Sequence, residues 1–394
     1  MLSLSELHGV FKLSEESKVA FVIPAYNEAR SLPKLLKNIN EEILTTHDNV
    51  DILVFEDGST DSTKDVLMEI FNSGDIPQFY PFMTPDRKGY PKAVKDAIDS
   101  LDPTEYSYVL FMDGDGQYPL DDIKKVLEYN ISGKFDIVVG GRVKRVEPIW
   151  RKILTLGIRV IESILFNPAV KDVTSALRLI KIETAQKISS EIKYSKYNYW
   201  LEFTARMSAM DINVIELPVG YIERYDGESQ VYAIKSLPKI LWAEIKAVLM
   251  TFLELQSKTV LKFVLVGFTG AIIILFFSWF FTEYLGTWYI LSTAIGIEIS
   301  IIWAFILNTK LTFKFKFQNN SNTIKSLIQY HFTALGGMVI NLIALYLLTE
   351  YGQLYYLLSE VLGILFSFSF NYLASSKYVW NKHSKKSKTI KEVP

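Results

Sequence analysis

The chain divides near residue 258 into two halves that cannot share one kind of solvent. Downstream lie four apolar stretches, roughly 262–282, 288–308, 330–349 and 354–375. Each has about the 20 residues that cross a 30 Å hydrocarbon core at 1.5 Å per residue. The first, FVLVGFTGAIIILFFSWFF over 263–281, lacks the polar face that a helix lying on a soluble core would show. Four membrane spans are therefore expected. Upstream, charged residues are dense and apolar runs stay short, as in a soluble domain. A chain of 394 residues exceeds what one core usually organises, so at least two domains are expected. The formal net charge of −1 gives no argument for nucleic acid as a partner. Without cysteine there is no disulfide or thiolate metal site, which fits a reducing compartment. Residues 1–16 show no apolar run behind a basic start, so no signal peptide is expected.

Loop charges set an orientation. Lys258 and Lys262 precede the first span, and Lys310, Lys314, Lys316 and Lys325 join the second to the third. Lys377, Lys382, Lys385, Lys386, Lys388 and Lys391 follow the fourth, whereas the connections around Glu283 and Glu350 carry no Lys or Arg. The positive-inside rule places both termini, the middle loop and the N-terminal domain in the cytosol. The half also repeats itself at an offset of 67 residues: Gly270 matches Gly337, Gly296 matches Gly363, and Ser300 matches Ser367. Lys310 matches Lys377, Phe305 falls on Tyr372, and Phe313 on Trp380, the pattern of two duplicated hairpins. Glu298, inside the second span, is either functional or turned toward the bundle interior. Between the halves, Leu237, Leu241, Ile245, Val248, Phe252 and Leu255 recur at helical spacing, with Lys235, Lys239 and Lys246 off that stripe. Such a helix lies on a membrane surface or packs on the soluble domain.

In the soluble half, VAFVIP (19–24), DILVF (51–55), YVLFM (108–112) and DIVVG (136–140) read as buried strands. Helical patterns follow near 31–44, 61–72, 90–100 and 121–132. This alternation predicts a doubly wound, mostly parallel α/β sheet, whose ligands bind at the carboxyl ends of the strands. The residues found there are Pro24-Ala25-Tyr26-Asn27-Glu28, then Glu56-Asp57-Gly58-Ser59-Thr60-Asp61, then Asp113-Gly114-Asp115-Gly116-Gln117. Two carboxylates and an amide oxygen at alternating positions suit a hard divalent cation, Mg²⁺ or Mn²⁺. A calcium loop of the EF-hand type is excluded, because Tyr118 and Lys124 stand where it needs Gly and Glu. Arg142, Arg151, Arg178 and Arg224 follow, a residue type whose planar fork suits phosphate.

FVIPAYNE, FEDGSTD and FMDGDGQYP, in this order and spacing, resemble family 2 glycosyltransferases of the GT-A fold. More narrowly, the chain resembles the dolichol-phosphate mannose synthases and related polyprenyl-phosphate glycosyltransferases, and its C-terminal half a four-span GtrA-like membrane domain. The resemblance implies Asp113, Asp115 and Gln117 as metal ligands, with Asp115, Arg142 and Arg151 catalytic. It implies Pro24, Tyr26, Glu28, Asp57, Lys88, Asp113 and Arg224 for the nucleotide-sugar donor. Arg142, Arg151 and Thr155 would receive the lipid phosphate, Thr155 standing where a serine is usual. The sequence departs from the family at Glu56, which replaces the first aspartate of DDGS, in Ser175-Ala176-Leu177-Arg178 for an SGFR-like segment, and at Gln230.

The implied organisation is a GT-A domain over 1–230, amphipathic interface helices over 231–257, an all-α four-span domain over 258–380 and a basic tail over 381–394. The implied partners are a nucleotide sugar, a dolichyl or polyprenyl phosphate and the bilayer, without nucleic acid; a homo-oligomer is compatible. The implied reaction is inverting transfer, with mannose from GDP-mannose the first expectation and a UDP-sugar the alternative. A processive polysaccharide synthase would carry a Gln-x-x-Arg-Trp motif, and none is present. A lipid-sugar translocator with an inactive soluble domain is the reading of another class, and it leaves the intact metal motif unexplained.

Overall fold

The computed structural model describes residues 18–129, 134–143, 149–222, 237–287, 289–316, 320–354 and 356–380. It divides into two compact units, Met1–Leu255 and Gln256–Pro394. The first runs β1 (Lys18–Ala25), α1 (Leu32–Ile39), β2 (Val50–Glu56), α2 (Thr63–Ser73), β3 (Phe79–Met83), α3 (Tyr90–Ser100), β4 (Tyr106–Phe111) and α4 (Leu120–Tyr129). It continues with β5 (Ile137–Arg142), α5 (Ile149–Leu165), β6 (Arg178–Lys181), α6 (Ile182–Glu191), α7 (Tyr199–Ser208) and β7 (Val214–Val219). The long helix α8 (Leu237–Trp279) begins in this unit and ends in the next.

One seven-stranded sheet has the order β3-β2-β1-β4-β6-β5-β7. All neighbours are parallel except β6, which runs antiparallel to both β4 and β5. The four strands expected from apolar runs are present, and three more complete the sheet. β3 and β7 are its edges and carry Pro81 and Pro218, which edge strands tolerate because no inner ladder bond is lost. β6 has four residues, too few to show a period.

Because β1 is buried on both faces, its alternate side chains feed two cores. Phe21 and Ile23 pack with Leu32, Leu35, Leu36 and Ile39 of α1, whose i, i+3, i+4, i+7 spacing makes one apolar stripe. Ala20 and Val22 face the opposite layer with Val94, Ile98, Trp200 and Phe203. The chain winds from β1 outward to β2 and β3, then crosses back to β4 on the other side of β1. The carboxyl ends of β1 and β4 therefore meet at the switch point where an open sheet has its crevice.

Two helices of this unit show apolar residues on both faces. α8 packs Val248, with Phe252 and Leu255, against Phe166 and Ala205, beside Ile161 and Leu165 of α5. Its other face leaves Trp242, Leu249, Met250 and Leu253 exposed, and α5 exposes Leu156, Val160 and Ile164 at fourfold spacing. Val248, Phe252 and Leu255 of the 233–256 stripe thus pack on the soluble unit, and the exposed apolar residues lie outside that stripe.

The second unit contains the rest of α8, α9 (Tyr289–Leu307), α10 (Asn320–Tyr346) and α11 (Tyr356–Ala374). The duplication is visible in its geometry. Single π-helical turns follow α8 and α10 at Phe280–Tyr284 and Leu347–Tyr351, and follow α9 and α11 at Asn308–Thr312 and Ser375–Val379, each pair 67 residues apart. The aromatic centre obeys the same relation. Phe305 stacks on Trp380 at 5.8 Å and its equivalent Tyr372 stacks on Phe313 at 6.2 Å, while Phe313 and Trp380 stack on each other at 4.4 Å. The matched glycines are close contacts: a Cβ on Gly270 would lie 2.7 Å from Ser300 Oγ, and one on Gly363 3.1 Å from the Asn341 carbonyl. Among the described residues, Leu237–Ile274 and Ile295–Thr312 are long and apolar enough to cross a membrane. α10 and α11 also carry polar residues within their apolar runs, among them Gln329, His331 and Asn341, and Ser359 and Asn371.

Candidate active site

The β4 turn supplies the centre of the site. Asp115 is buried, and its Oδ1 accepts the Gln117 backbone N–H at 3.1 Å, closing a tight turn with Gly116 at φ 70°. Asp113 Oδ1 accepts a 2.9 Å bond from the Tyr90 hydroxyl, which in turn accepts one of 2.9 Å from Trp200 Nε1. Burial, reinforced by the Asp113 charge, pushes the Tyr90 phenol well above its ordinary range, so it stays a donor. The Gln117 amide is pinned at both ends. Tyr221 OH donates to Oε1 at 2.7 Å and Nε2 donates to the Ile222 carbonyl at 3.1 Å. Its oxygen is therefore distinguished from its nitrogen by the protein itself.

These donors are all oxygens, two carboxylates and an oriented amide on one turn, a set that fits a hard divalent cation. Among the described residues no group of three His, Cys, Asp or Glu side chains gathers.

Arg142 ends β5, its side chain largely buried, with its guanidinium held bidentately by Asp172: Nε to Oδ2 at 2.7 Å and Nη2 to Oδ1 at 2.9 Å. Nη2 also donates to Thr174 Oγ1 at 2.7 Å. Asp172 is itself set by Glu216 of β7, whose carboxylate accepts the backbone N–H groups of Lys171 and Asp172 at 2.8 and 2.7 Å. The Arg142 guanidinium lies 5.1 Å from the centre of the Tyr221 ring, so one tyrosine touches both Arg142 and Gln117.

The β1 and β2 ends are interlaced. Asn27, at φ 56°, donates from its backbone N–H to Ser59 Oγ at 2.9 Å and accepts the Thr60 N–H at 2.9 Å. Glu28 accepts a short bond of 2.5 Å from Ser31 Oγ, which also reaches the Gly114 carbonyl and ties this end to the β4 turn. Pro24 lies opposite Phe55 in the β1–β2 register. Tyr26 lies under the Arg87 guanidinium at 3.7 Å. The Asp57 carboxylate accepts the backbone N–H groups of Lys88 and Gly89 at 2.7 and 2.8 Å, drawing the 84–89 loop onto β2. The Lys88 ammonium pairs instead with Asp96 at 2.7 Å. Glu56 is buried, accepts the Ser59 N–H, and lies 3.8 Å from Lys64.

The arginines separate by role. Arg178 is fully buried, bonded to the Ser175 and Val173 carbonyls and Thr204 Oγ1 and covered by Trp200 and Phe203, so it fastens the chain rather than facing a ligand. Arg151 and Thr155 lie on α5, with their side chains outside the described residues, and Arg224 lies outside them altogether. Sequence reading missed Tyr90, Asp172, Trp200, Glu216 and Tyr221. Only Tyr221 had a local signal, standing just after a strand end like the other candidates.

The seven-stranded α/β sheet is that of the GT-A fold, and the chain continues from it into an all-helical unit. Residues 20–188 match the model of glycosyl transferase family 2, and residues 262–380 that of the GtrA/DPMS transmembrane domain. The chain is thus a membrane protein that joins a family 2 glycosyltransferase domain to a GtrA/DPMS domain. It is similar to a dolichol-phosphate mannosyltransferase of Pyrococcus furiosus, 28% identical over 389 residues, which cover 92% of this chain and 99% of that one. An undecaprenyl-phosphate mannosyltransferase of Micrococcus luteus is 25% identical over 54% of this chain and 87% of its own. A UDP-N-acetylglucosamine–dolichyl-phosphate N-acetylglucosaminyltransferase of Methanococcus voltae is 24% identical over 51% and 84%. Among solved structures, a mannosyltransferase of Pyrobaculum calidifontis in complex with GDP-Man and Mn²⁺ covers 76% of this chain and 88% of its own at 16% identity, with a TM-score of 0.40.

Proposed function

We propose that the protein transfers a hexose from a nucleoside diphosphate to a dolichyl or other polyprenyl phosphate, with mannose from GDP-mannose as the first donor to test. The observation that carries this is the oxygen set of Asp113, Asp115 and Gln117 at the switch point, with Arg142 one tyrosine away. Similarity along nearly the whole length of the Pyrococcus enzyme supports the acceptor class, and the Methanococcus relative supports keeping UDP-sugars as the alternative donors.

A divalent cation held by Asp113, Asp115 and Gln117 would neutralise the departing diphosphate. The chain's own residues do the remainder by positioning and charge. Asp57 and Tyr26, with Arg87, shape the loop that borders the donor. Arg142, held in one orientation by Asp172, offers a fixed positive charge to an acceptor phosphate, with Arg151 and Thr155 assigned to the same phosphate by resemblance. A phosphate monoester is already largely ionised near neutral pH, so its oxygen attacks without a protein base. The new bond from that oxygen to the anomeric carbon forms as the bond to the nucleoside diphosphate breaks, the leaving group taking the electron pair, with inversion. Positioning and preorganised charge then supply the acceleration.

We also propose that the GtrA/DPMS region crosses the bilayer four times with both termini cytosolic, as the loop lysines favour. The exposed apolar faces of α5 and α8 suit a membrane surface, where a lipid acceptor would be met.

The test is transfer of label from a panel of GDP- and UDP-sugars to dolichyl phosphate, with Mn²⁺ and with EDTA. One organic-extractable glycolipid, formed only with metal, is expected. Folded protein that binds a nucleotide sugar yet transfers nothing from any donor overturns the proposal in favour of a translocator.

A further inference from the structure

Glu298 and His331 form a polar pair on the outside of the membrane unit. Glu298 Oε1 lies 2.8 Å from His331 Nε2, linking α9 to α10, and His331 Nδ1 lies 2.9 Å from the Leu327 carbonyl. Glu298 does not face the bundle interior: its side chain is 58% exposed and that of His331 26%. At 1.5 Å per residue Glu298 sits about 13 Å from the Leu307 end of α9, within the apolar stretch 288–308.

The internal duplication supplies its own control. The positions equivalent to His331 and Glu298 are Val264 and Leu365, both exposed at 43% and 55%. Leu327, Ile328, Phe332 and Leu335, which flank His331 on one face of α10, correspond to Val260, Leu261, Leu265 and Phe268. Two related faces of one unit thus differ chiefly in that one carries an acid and a base where the other carries two aliphatics. Polar groups left toward lipid are costly, and the apolar face shows what lipid contact requires.

We propose that this face is the interface with a second copy of the chain, packed α9/α10 against α9/α10 about a two-fold axis. An isologous contact needs a patch complementary to itself, and an adjacent acid and base form one: Glu298 of each copy can reach the partner's His331. The side chains around the pair, Leu327, Ile328, Phe332 and Leu335 on one face of α10, are apolar, which favours a second helix over a polar lipid headgroup. The proposal rests on the membrane unit alone and not on the transfer reaction.

The chain has no cysteine, so one introduced thiol has no competitor. Ile324→Cys, Ile328→Cys, Phe332→Cys and Leu335→Cys, each alone in full-length protein in liposomes, would be oxidised and resolved on denaturing gels. At least one of these exposed positions should give a covalent dimer, while Leu261→Cys on the equivalent face should not. In the Glu298→Leu/His331→Val background, which copies the other hairpin, the dimer fraction should fall roughly tenfold. The exchange Glu298→His/His331→Glu should restore it. Equal cross-linking from both faces, or cross-linking unchanged in the Leu/Val background, overturns the proposal. So does an unchanged dimer whose Leu/Val variant loses binding of a polyprenyl phosphate in vesicles, since the pair would then serve a lipid headgroup.

Discussion

Tyr221 donates its hydroxyl to Gln117 Oε1 at 2.7 Å while its ring lies under the Arg142 guanidinium. One side chain at the exit of β7 thereby fixes the Gln117 amide and touches Arg142, the arginine proposed for the acceptor. The two contacts use different parts of the residue, so substitution can separate them. Tyr221→Phe keeps the ring and loses the hydroxyl. It should raise the half-saturating Mn²⁺ concentration about fivefold, the effect of roughly 1 kcal/mol for one net hydrogen bond. Binding of Mn²⁺ to the enzyme with GDP, followed by the free-ion paramagnetic resonance signal, should shift equally. Tyr221→Leu should add a rise in acceptor KM. A Tyr221→Phe enzyme with unchanged Mn²⁺ binding would remove the positioning role.

Asp115→Asn retains an oxygen that can accept the Gln117 N–H, so the turn should survive. The charge is lost, and kcat/KM should fall at least about 100-fold, as when a group that stabilises transition-state charge is removed. Melting temperature and nucleotide-sugar turnover, measured on one preparation, check both halves of this expectation.

Asp172 holds Arg142 bidentately in a largely buried setting. Asp172→Asn leaves the guanidinium without its counter-charge, at about 3 kcal/mol in stability for a broken buried pair. Acceptor KM should rise by roughly tenfold or more with donor KM nearly unchanged, because the arginine's orientation and not the donor loop is lost. Glu216→Gln, which still accepts at one oxygen, should give a smaller change in the same direction. Initial-rate kinetics with each substrate varied in turn distinguish the two.

Gly58 has φ 64°, and a Cβ there would lie 2.4 Å from the Arg87 nitrogen. Gly58→Ala should destabilise the soluble unit by more than about 1 kcal/mol, since both the backbone conformation and the space forbid it. The displaced 86–87 loop is the one Asp57 draws in, so donor KM should rise as well. Thermal melts and donor titrations report the two effects separately.

Glu162 on α5 is fully buried, with neither carboxylate oxygen hydrogen-bonded. Burial pushes its pKa up to about 8, the Arg178 charge opposing and the Glu244 charge assisting. A carboxyl raised in the folded state holds its proton there while the unfolded chain has lost it. Its contribution to stability is therefore full below the ordinary glutamate range and declines as pH rises to about 8. Glu162→Gln should flatten the fall in melting temperature between about pH 5 and pH 8 and be the more stable form above it. Parallel curves for both proteins would show that Glu162 does not carry the dependence.

Much of this protein was legible in its sequence because the signals are local. Four apolar runs, buried strands ending in Glu-Asp-Gly-Ser and Asp-Gly-Asp-Gly-Gln, and a 67-residue echo of glycines and aromatics are contiguous or strictly periodic features. Solvent partition and strand period act on such features residue by residue. The strands at 79–83, 178–181 and 214–219 escaped notice because two carry proline at sheet edges and one is too short for a period. Tertiary structure alone decided which polar groups meet: Tyr90 with Asp113 across 23 positions, Arg142 with Asp172 across 30, Gln117 with Tyr221 across 104. It also decided that Arg178 is buried, and that Glu298 faces outward beside His331. A side chain's partner depends on which strand ends the sheet order brings together, and no local period in the chain encodes that order.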